Sequence, residues 1–469
     1  INLYSTSKRL IYAENMNNKS FKTWANRPAF LLATVGGAVG LGNLWRFPYI
    51  AGENGGGGFV IIYLAFVFLF GLPVLSSELL IGRKCHKSAL NSMKELVDLH
   101  NANSIWKLIG WLSVLGPFAG FILYVVVCAW SIDYLYLASI DAFNNLNGES
   151  SGNLFNQRTA NSNLQILLSA VFISMTVWVI ARGVNEGIAR VSKILMPLLF
   201  FIIVLLVLYG MIEGEFLRAL EFLFKPDFSK LTGQSILMAL GQALFSLAIG
   251  TGLIMTYGAY MPDRYSIRQS ALVVCLGDTI IALLAGLAIF PIVFANNLNP
   301  GEGPGLIFVT LPIAFGNMPW GHLIGILFFI LLIFAAYTSA MGMLEPIVSW
   351  LEEKYPGKRK LLSMIAGFSI WVCGLGSVLS FSLLAELKPL EFLNVDLNIF
   401  GIIDYAVANL LLPINAFLIA AFSGWVISNN VVKEQFYSEP DNWRIYWRFT
   451  NRYIAPIAIS AVLIDLLFV

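Results

Sequence analysis

Apolar residues fall in long unbroken runs, not in alternating or one-sided patterns. Runs of a length that crosses hydrocarbon, about 17 to 25 residues or more, fall at 28–50, 59–82, 106–137, 164–181, 188–212, 234–260, 270–295, 321–351, 361–384, 398–427 and 453–469. Eleven membrane-spanning helices are predicted. A β-barrel is excluded, because its strands alternate over about ten residues. With the N-terminus inside, 23 of the 29 Lys and Arg fall on the inner side and five on the outer, with Arg46 inside a span. Cytoplasmic loops retain positive charge, so the expected product is a multi-pass protein of the cell's inner (plasma) membrane with a cytoplasmic N-terminus.

Composition removes the soluble alternatives. Apolar residues make up 58% and charged residues 12%, against about 25% charged in an ordinary soluble domain. Net charge is +2 without a polybasic tail, so nucleic acid is not an expected partner; a small solute and the lipid bilayer are. Cys85, Cys128, Cys275 and Cys373 lie far apart and form no disulfide or metal-ribbon pattern. The first ~20 residues are polar and carry no secretory-signal pattern. Only three histidines occur, no H-E-x-x-H or G-x-S-x-G is present, and no Lys-Ser/Thr follows Gly55 to Gly58, so neither an enzyme nor a phosphate loop is expected.

Two spans are interrupted by glycine at corresponding places. The first reads Gly36-Gly37-Ala38-Val39-Gly40-Leu41-Gly42-Asn43, and the sixth reads Ser246-Leu247-Ala248-Ile249-Gly250-Thr251-Gly252. Glycine costs about 1 kcal/mol relative to alanine inside a helix, and unsatisfied backbone in lipid costs several. Close helix packing through small residues explains either stretch alone. Both together, in two five-span halves, point to half-helices meeting at mid-depth, where free N–H groups meet an anion and bare carbonyls a cation.

Arg27-Pro28, then Val35 through Tyr49 with Asn43-Leu44-Trp45-Arg46-Phe47-Pro48, and Glu53-Asn54-Gly55-Gly56-Gly57, together resemble the first helix and following turn of the neurotransmitter:sodium symporter family. Gly241-Gln242-Ala243-Leu244-Phe245-Ser246, Ala335-Ala336-Tyr337-Thr338-Ser339, and Gly187-Ile188-Ala189-Arg190 with Lys193, Met196 and Pro197 extend the likeness. The resemblance implies an all-α polytopic membrane protein with a 5+5 inverted-repeat transporter fold and unwound helices one and six, like the family's eleven-helix bacterial members. Residues 1–27 are then a cytoplasmic segment and 28–469 one transporter domain, with repeats at 28–212 and 234–427 and an eleventh helix at 453–469. The implied activity is sodium-coupled amino-acid import by alternating access. The alternatives are a sodium-coupled carrier of another small amine or zwitterion, and an ion channel, which needs a continuous polar pore.

The resemblance also implies site residues. A first sodium ion takes the Ala38 carbonyl, Asn43, Ser246 and Asp278, completed by the substrate carboxylate. A second takes carbonyls of Gly36, Val39 and Ala335 with the hydroxyls of Thr338 and Ser339; those hydroxyls have the alternative of bonding back to their own helix. Asp278 is an ionisable group inside a span, hence a functional hypothesis by default. With Ala282 one turn on and Tyr63, Gln242 and Ser246 nearby, it is expected to supply the fixed negative charge that chloride supplies in relatives, making transport chloride-independent. Tyr124 with the Leu41 and Gly42 N–H groups meets the substrate carboxylate, and carbonyls of Ala38, Phe245, Ser246 and Ala248 meet its amino group. Gly120 and Ala248 are small, leaving room beside Thr251, Gly252, Ser339 and Met343 for a large apolar or aromatic side chain such as Trp, Tyr, Phe or Leu. Arg46 and Asp404 match an outer gate over Tyr124 and Phe245. Inside, Phe21 stands where relatives carry an Arg before the Trp24 motif, so Lys22 is expected to pair with Glu353, near Tyr260. Glu78 is expected to cap unwound backbone.

Overall fold

Asn26 ends the polar start of the chain by capping the first helix. Its side chain accepts from the Ala29 amide at 2.9 Å, and proline occupies the first turn, where its missing N–H leaves nothing unpaired. The computed structural model describes residues 23–301, 303, 305–393 and 396–468; Lys22, one half of the expected inner gate, lies outside them. Helix α1 (Arg27–Ala38) breaks at Val39, whose backbone is extended, and α2 (Gly42–Glu53) resumes at a 50° bend. There follow α3 (Gly57–Cys85), α4 (Ala89–Leu99), α5 (Ser104–Ser139), α6 (Gly148–Ala160), α7 (Ser162–Ile180), α8 (Val184–Glu213) and α9 (Phe216–Phe224). The second half brings α10 (Gly233–Ser246), α11 (Leu253–Ala259), α12 (Ile267–Ala295), α13 (Leu306–Asn317), α14 (Gly321–Lys354), α15 (Arg359–Leu379) and α16 (Ile399–Val426). Then come α17 (Asn429–Gln435), α18 (Asp441–Phe449) and α19 (Ala455–Phe468), the last two joined by a π-helical turn at Thr450–Ile454. No strand occurs among the described residues.

Eight of these helices, α3, α5, α7, α8, α12, α14, α15 and α16, are long and apolar enough to cross a membrane, and the bent pair α1 and α2 makes a ninth. The expected sixth span is two short helices separated by residues 247–252. The expected eleventh is α19 with the turn before it. All seven residues of α11 are buried, packed against α3, and α5 lies along α14. Lipid is thereby kept from both breaks, while Phe200, Phe201 and Ile212 of α8 stay exposed.

Within the second break Ala248, Gly250 and Gly252 all have positive φ (52°, 83° and 74°). A Cβ on Gly250 or Gly252 meets backbone of Leu412 or Ser113 as well, so glycine is needed for both conformation and space. The backbone exposed there is satisfied from other helices. Glu78 Oε1 of α3 accepts from the Gly250 amide at 2.7 Å, the capping role expected of it. Asn415 Nδ2 of α16 donates to the Gly250 carbonyl at 2.6 Å and to Ser113 Oγ at 3.1 Å. Glu78→Ala strips the Gly250 N–H of its acceptor, and an unsatisfied buried donor costs about 1–3 kcal/mol. A lower melting midpoint in detergent is expected for Glu78→Ala, with Glu78→Gln, which keeps an acceptor, close to wild type.

Candidate functional site

The break after α1 is held by one carboxamide. Asn43 Oδ1 accepts from the Gly40 amide at 3.0 Å, and Nδ2 donates to Ser246 Oγ (3.0 Å), the Asp278 carbonyl (3.1 Å) and Asp278 Oδ1 (2.8 Å). Ser246 Oγ donates to Asp278 Oδ2 at 2.5 Å and lies 3.2 Å from the Tyr63 hydroxyl. Asn43, Ser246 and Asp278 are fully buried. The positive end of an amide dipole thus sits among three oxygens from two helices, a donor set of one carboxylate and neutral oxygens that suits a hard cation of single charge. A half-turn of the carboxamide presents its own oxygen to the same point. Gln242 Nε2 donates to the Gly42 carbonyl at 2.9 Å, leaving its Oε1 without a hydrogen-bond partner among the described residues.

The second expected ion site divides. Ser339 Oγ reaches across to the Val39 carbonyl in the break, at 3.0 Å. Thr338 Oγ1 bonds back to Phe334 (3.1 Å) and Ala335 (3.0 Å) carbonyls of its own helix, the alternative open to such a hydroxyl. Gly36 packs on Thr338 and on the Met196 thioether. Carbonyls of the break and hydroxyls of α14 therefore share one small region.

Beside both lies a cavity of about 170 Å³ between α1, α2, α5, α10, α14 and α16. Ala38, Leu41, Gly42, Gly120, Tyr124, Phe245, Ala248, Thr251 and Met343 line it. Ser246 and Ser339 sit behind this wall. Gly252, also in the expected substrate set, is not among the lining residues, and its Cβ position is pressed against Ser113 of α5. The Gly120 position is open, the nearest atoms to an added Cβ being Met343 Sδ at 3.7 Å and Val407 Cγ1 at 3.8 Å.

Arg46 and Asp404 both border the cavity. The Arg46 guanidinium lies over the Phe245 ring, 4.4 Å from its centroid, and among the described ion pairs none joins it to Asp404. At the opposite end Trp24 is buried, its indole donating to the Tyr257 carbonyl at 3.0 Å and its amide to the Tyr260 carbonyl at 2.9 Å. That end is plugged while the expected outer pair stands apart.

Glu353 is described without Lys22, its expected partner. Its carboxylate accepts from the Ser88 amide (2.5 Å), Ser88 Oγ (2.6 Å) and Asn91 Nδ2, serving the first turn of α4, whose N-cap Ser88 makes no side-chain cap of its own. The acid facing Tyr260 is Glu345 of α14, fully buried, which accepts from the Tyr260 hydroxyl at 2.7 Å and pairs with Arg359. Arg359 also bonds Glu352 and the Ile180 carbonyl, each at 2.8 Å. The rule that singles out Asp278, an ionisable group within a span, applies equally to Glu345 and was the available signal.

Paired half-helices, each broken at mid-depth beside a shared cavity and an oxygen cluster, define a secondary transporter of the inverted-repeat class. A model of the sodium:neurotransmitter symporter family matches residues 21–170 and 153–468. The chain belongs to this family, a family of transporters, and is a sodium-coupled symporter of the membrane. It is 36% identical over 447 residues to the sodium-dependent transporter YhdH of Bacillus subtilis, covering 95% of this chain and 97% of that one. A sodium-dependent transporter of Haemophilus influenzae is 31% identical over 461 residues, covering 96% and 99%. Among solved structures, MhsT in complex with L-phenylalanine matches with a TM-score of 0.86 and 37% identity, over 94% of this chain and 99% of that chain.

Proposed function

We propose that this symporter carries large apolar or aromatic amino acids into the cell by alternating access, with two sodium sites and no need of chloride. The supporting observation is the open position at Gly120, facing Met343 and Val407 in a cavity that Tyr124, Leu41 and Gly42 also line. The amino acid lies with its carboxylate at Tyr124 and the N–H groups of the first break, and its side chain toward Gly120. The neighbouring MhsT structure holds L-phenylalanine, which is of this size and class.

One sodium ion takes Ala38, Asn43, Ser246 and Asp278 together with the substrate carboxylate. Ion and solute then raise one another's affinity by the same factor, as linkage requires. The other takes Gly36, Val39, Ala335, Thr338 and Ser339, joining α1 to α14. Arg46 and Asp404 close over the loaded cavity, and release of Trp24 from Tyr257 and Tyr260 opens the inner side.

Proteoliposomes of the pure protein given labelled phenylalanine test this. Uptake is expected to follow an inward sodium gradient and to be inhibited best by unlabelled Trp, Phe, Tyr and Leu; equal retention with and without the gradient refutes the reading. Gly120→Val fills the open position. A mismatch of a methylene or so in an apolar pocket is worth about 10- to 200-fold, so tryptophan uptake is expected to fall by about that factor while that of alanine or valine is kept.

A further inference from the structure

A second cavity, of about 820 Å³, lies on the outside of the molecule between α7 and α15. Its walls are Ile173, Val177 and Trp178 on one helix and Met364, Phe368 and Trp371 on the other. Phe368 is 63% exposed and Trp178 56%. Both helices are long and apolar enough to span a membrane, so this surface faces lipid. At Val177 the two helices approach so closely that a Cβ on Gly367 has no room, which gives the groove a floor.

One end of the groove is basic. Arg182 lies just beyond the end of α7 and Lys360 in the first turn of α15; both line the groove. The Arg182 guanidinium is stacked on Trp178, 3.5 Å from the ring centroid, which fixes its plane and leaves its edge N–H groups for a partner. Among the described residues neither cation forms an ion pair, and no acid lines the groove. Two unpaired cations at the end of an apolar channel, on the end of the molecule where cationic residues concentrate, match the headgroup and chain of one lipid.

We infer that the groove between α7 and α15 binds an acidic glycerophospholipid, its phosphate on Arg182 and Lys360 and an acyl chain along Val177, Phe368 and Trp371. A second copy of this chain fits less well: a self-complementary contact brings the same two cations from each partner to a face that has no carboxylate to meet them.

The test uses the full chain in mixed micelles with phosphatidylglycerol or phosphatidylcholine brominated on the same acyl carbons. Tryptophan quenching is read, and the contribution of Trp178 and Trp371 is isolated by difference against Trp178→Phe/Trp371→Phe. Phosphatidylglycerol is expected to quench at lower mole fraction, by about fivefold for each cation. Arg182→Gln/Lys360→Gln is expected to lose that preference, and Arg182→Lys/Lys360→Arg to retain it, which separates charge from misfolding. Equal quenching by the two lipids overturns the proposal, as does a preference surviving in the Gln pair. Release of the lipid by millimolar glycerol 1-phosphate means that a soluble phosphate is the ligand and overturns it too. Cross-linking between copies of Trp178→Cys/Cys373→Ser, which lacks the exposed native thiol of α15, with quenching absent, assigns the face to a dimer and overturns the proposal.

Discussion

Asp278→Asn is expected to lower apparent sodium affinity by about three powers of ten while leaving the protein folded. The substitution is nearly isosteric. Asp278 receives Asn43 Nδ2 at 2.8 Å and Ser246 Oγ at 2.5 Å, and a carboxamide offers an acceptor to the first while the serine hydroxyl turns to accept from its NH2. What disappears is the charge. Two unit charges 4 Å apart interact by about 4 kcal/mol at an effective dielectric of 20, and each 1.4 kcal/mol is a factor of ten in affinity. Wild-type uptake is expected to be the same in chloride and in gluconate, because the carboxylate is already in place. The variant is expected to regain part of its uptake in chloride, since Tyr63, Gln242 and Ser246 remain to hold an anion, and none in gluconate. Sodium titrations of labelled amino-acid binding in both anions measure all four cases. A wild type that stops transporting in gluconate removes the role given to Asp278.

The reach of the sequence can be traced residue by residue. Glycine clusters near 36–42 and 250–252 located both breaks, because glycine inside an apolar run weakens the helix and belongs where backbone opens or packs closely. Asp278 stood out on similar grounds, being a charge where lipid forbids one. The far wall of the cavity was invisible. Phe400, Val407 and Leu412 of α16 line it, yet a helix that is apolar on every side carries no periodic sign of which face meets a solute. Asn415 was missed although it satisfies the Gly250 carbonyl, since its partner lies 165 residues away. Glu345 was missed as an acid beside Tyr260, because position along a helix does not say which acid a distant hydroxyl meets, while the first turn of α4 takes up the Glu353 carboxylate.

Gly40→Ala is expected to weaken amino-acid binding about a hundredfold without unfolding the protein. Gly40 does not carry the positive φ seen at Gly250 and Gly252, so alanine suits its backbone and the effect is one of space alone. A Cβ there runs into Ser339 Oγ and lies 2.8 Å from the Tyr124 hydroxyl. Both neighbours are buried and belong to the proposed machinery, one at the second ion and one at the carboxylate. Ser339 has to leave the Val39 carbonyl, or Tyr124 has to leave its place against the break. Overpacking costs about 1–3 kcal/mol, and here the displaced groups are the ones that receive ion and solute. Gly120→Ala adds the same methyl where the nearest protein atom is Met343 Sδ at 3.7 Å, so it meets only the solute's side chain and is expected to weaken phenylalanine binding about tenfold, the low end of a one-methylene mismatch. Equilibrium binding of labelled phenylalanine at saturating and at limiting sodium separates the two variants, with gel-filtration profile and melting midpoint as controls for folding. Equal affinities in Gly40→Ala and Gly120→Ala would place the solute away from Tyr124 and Ser339, because no solute held there tolerates a methyl group between those hydroxyls.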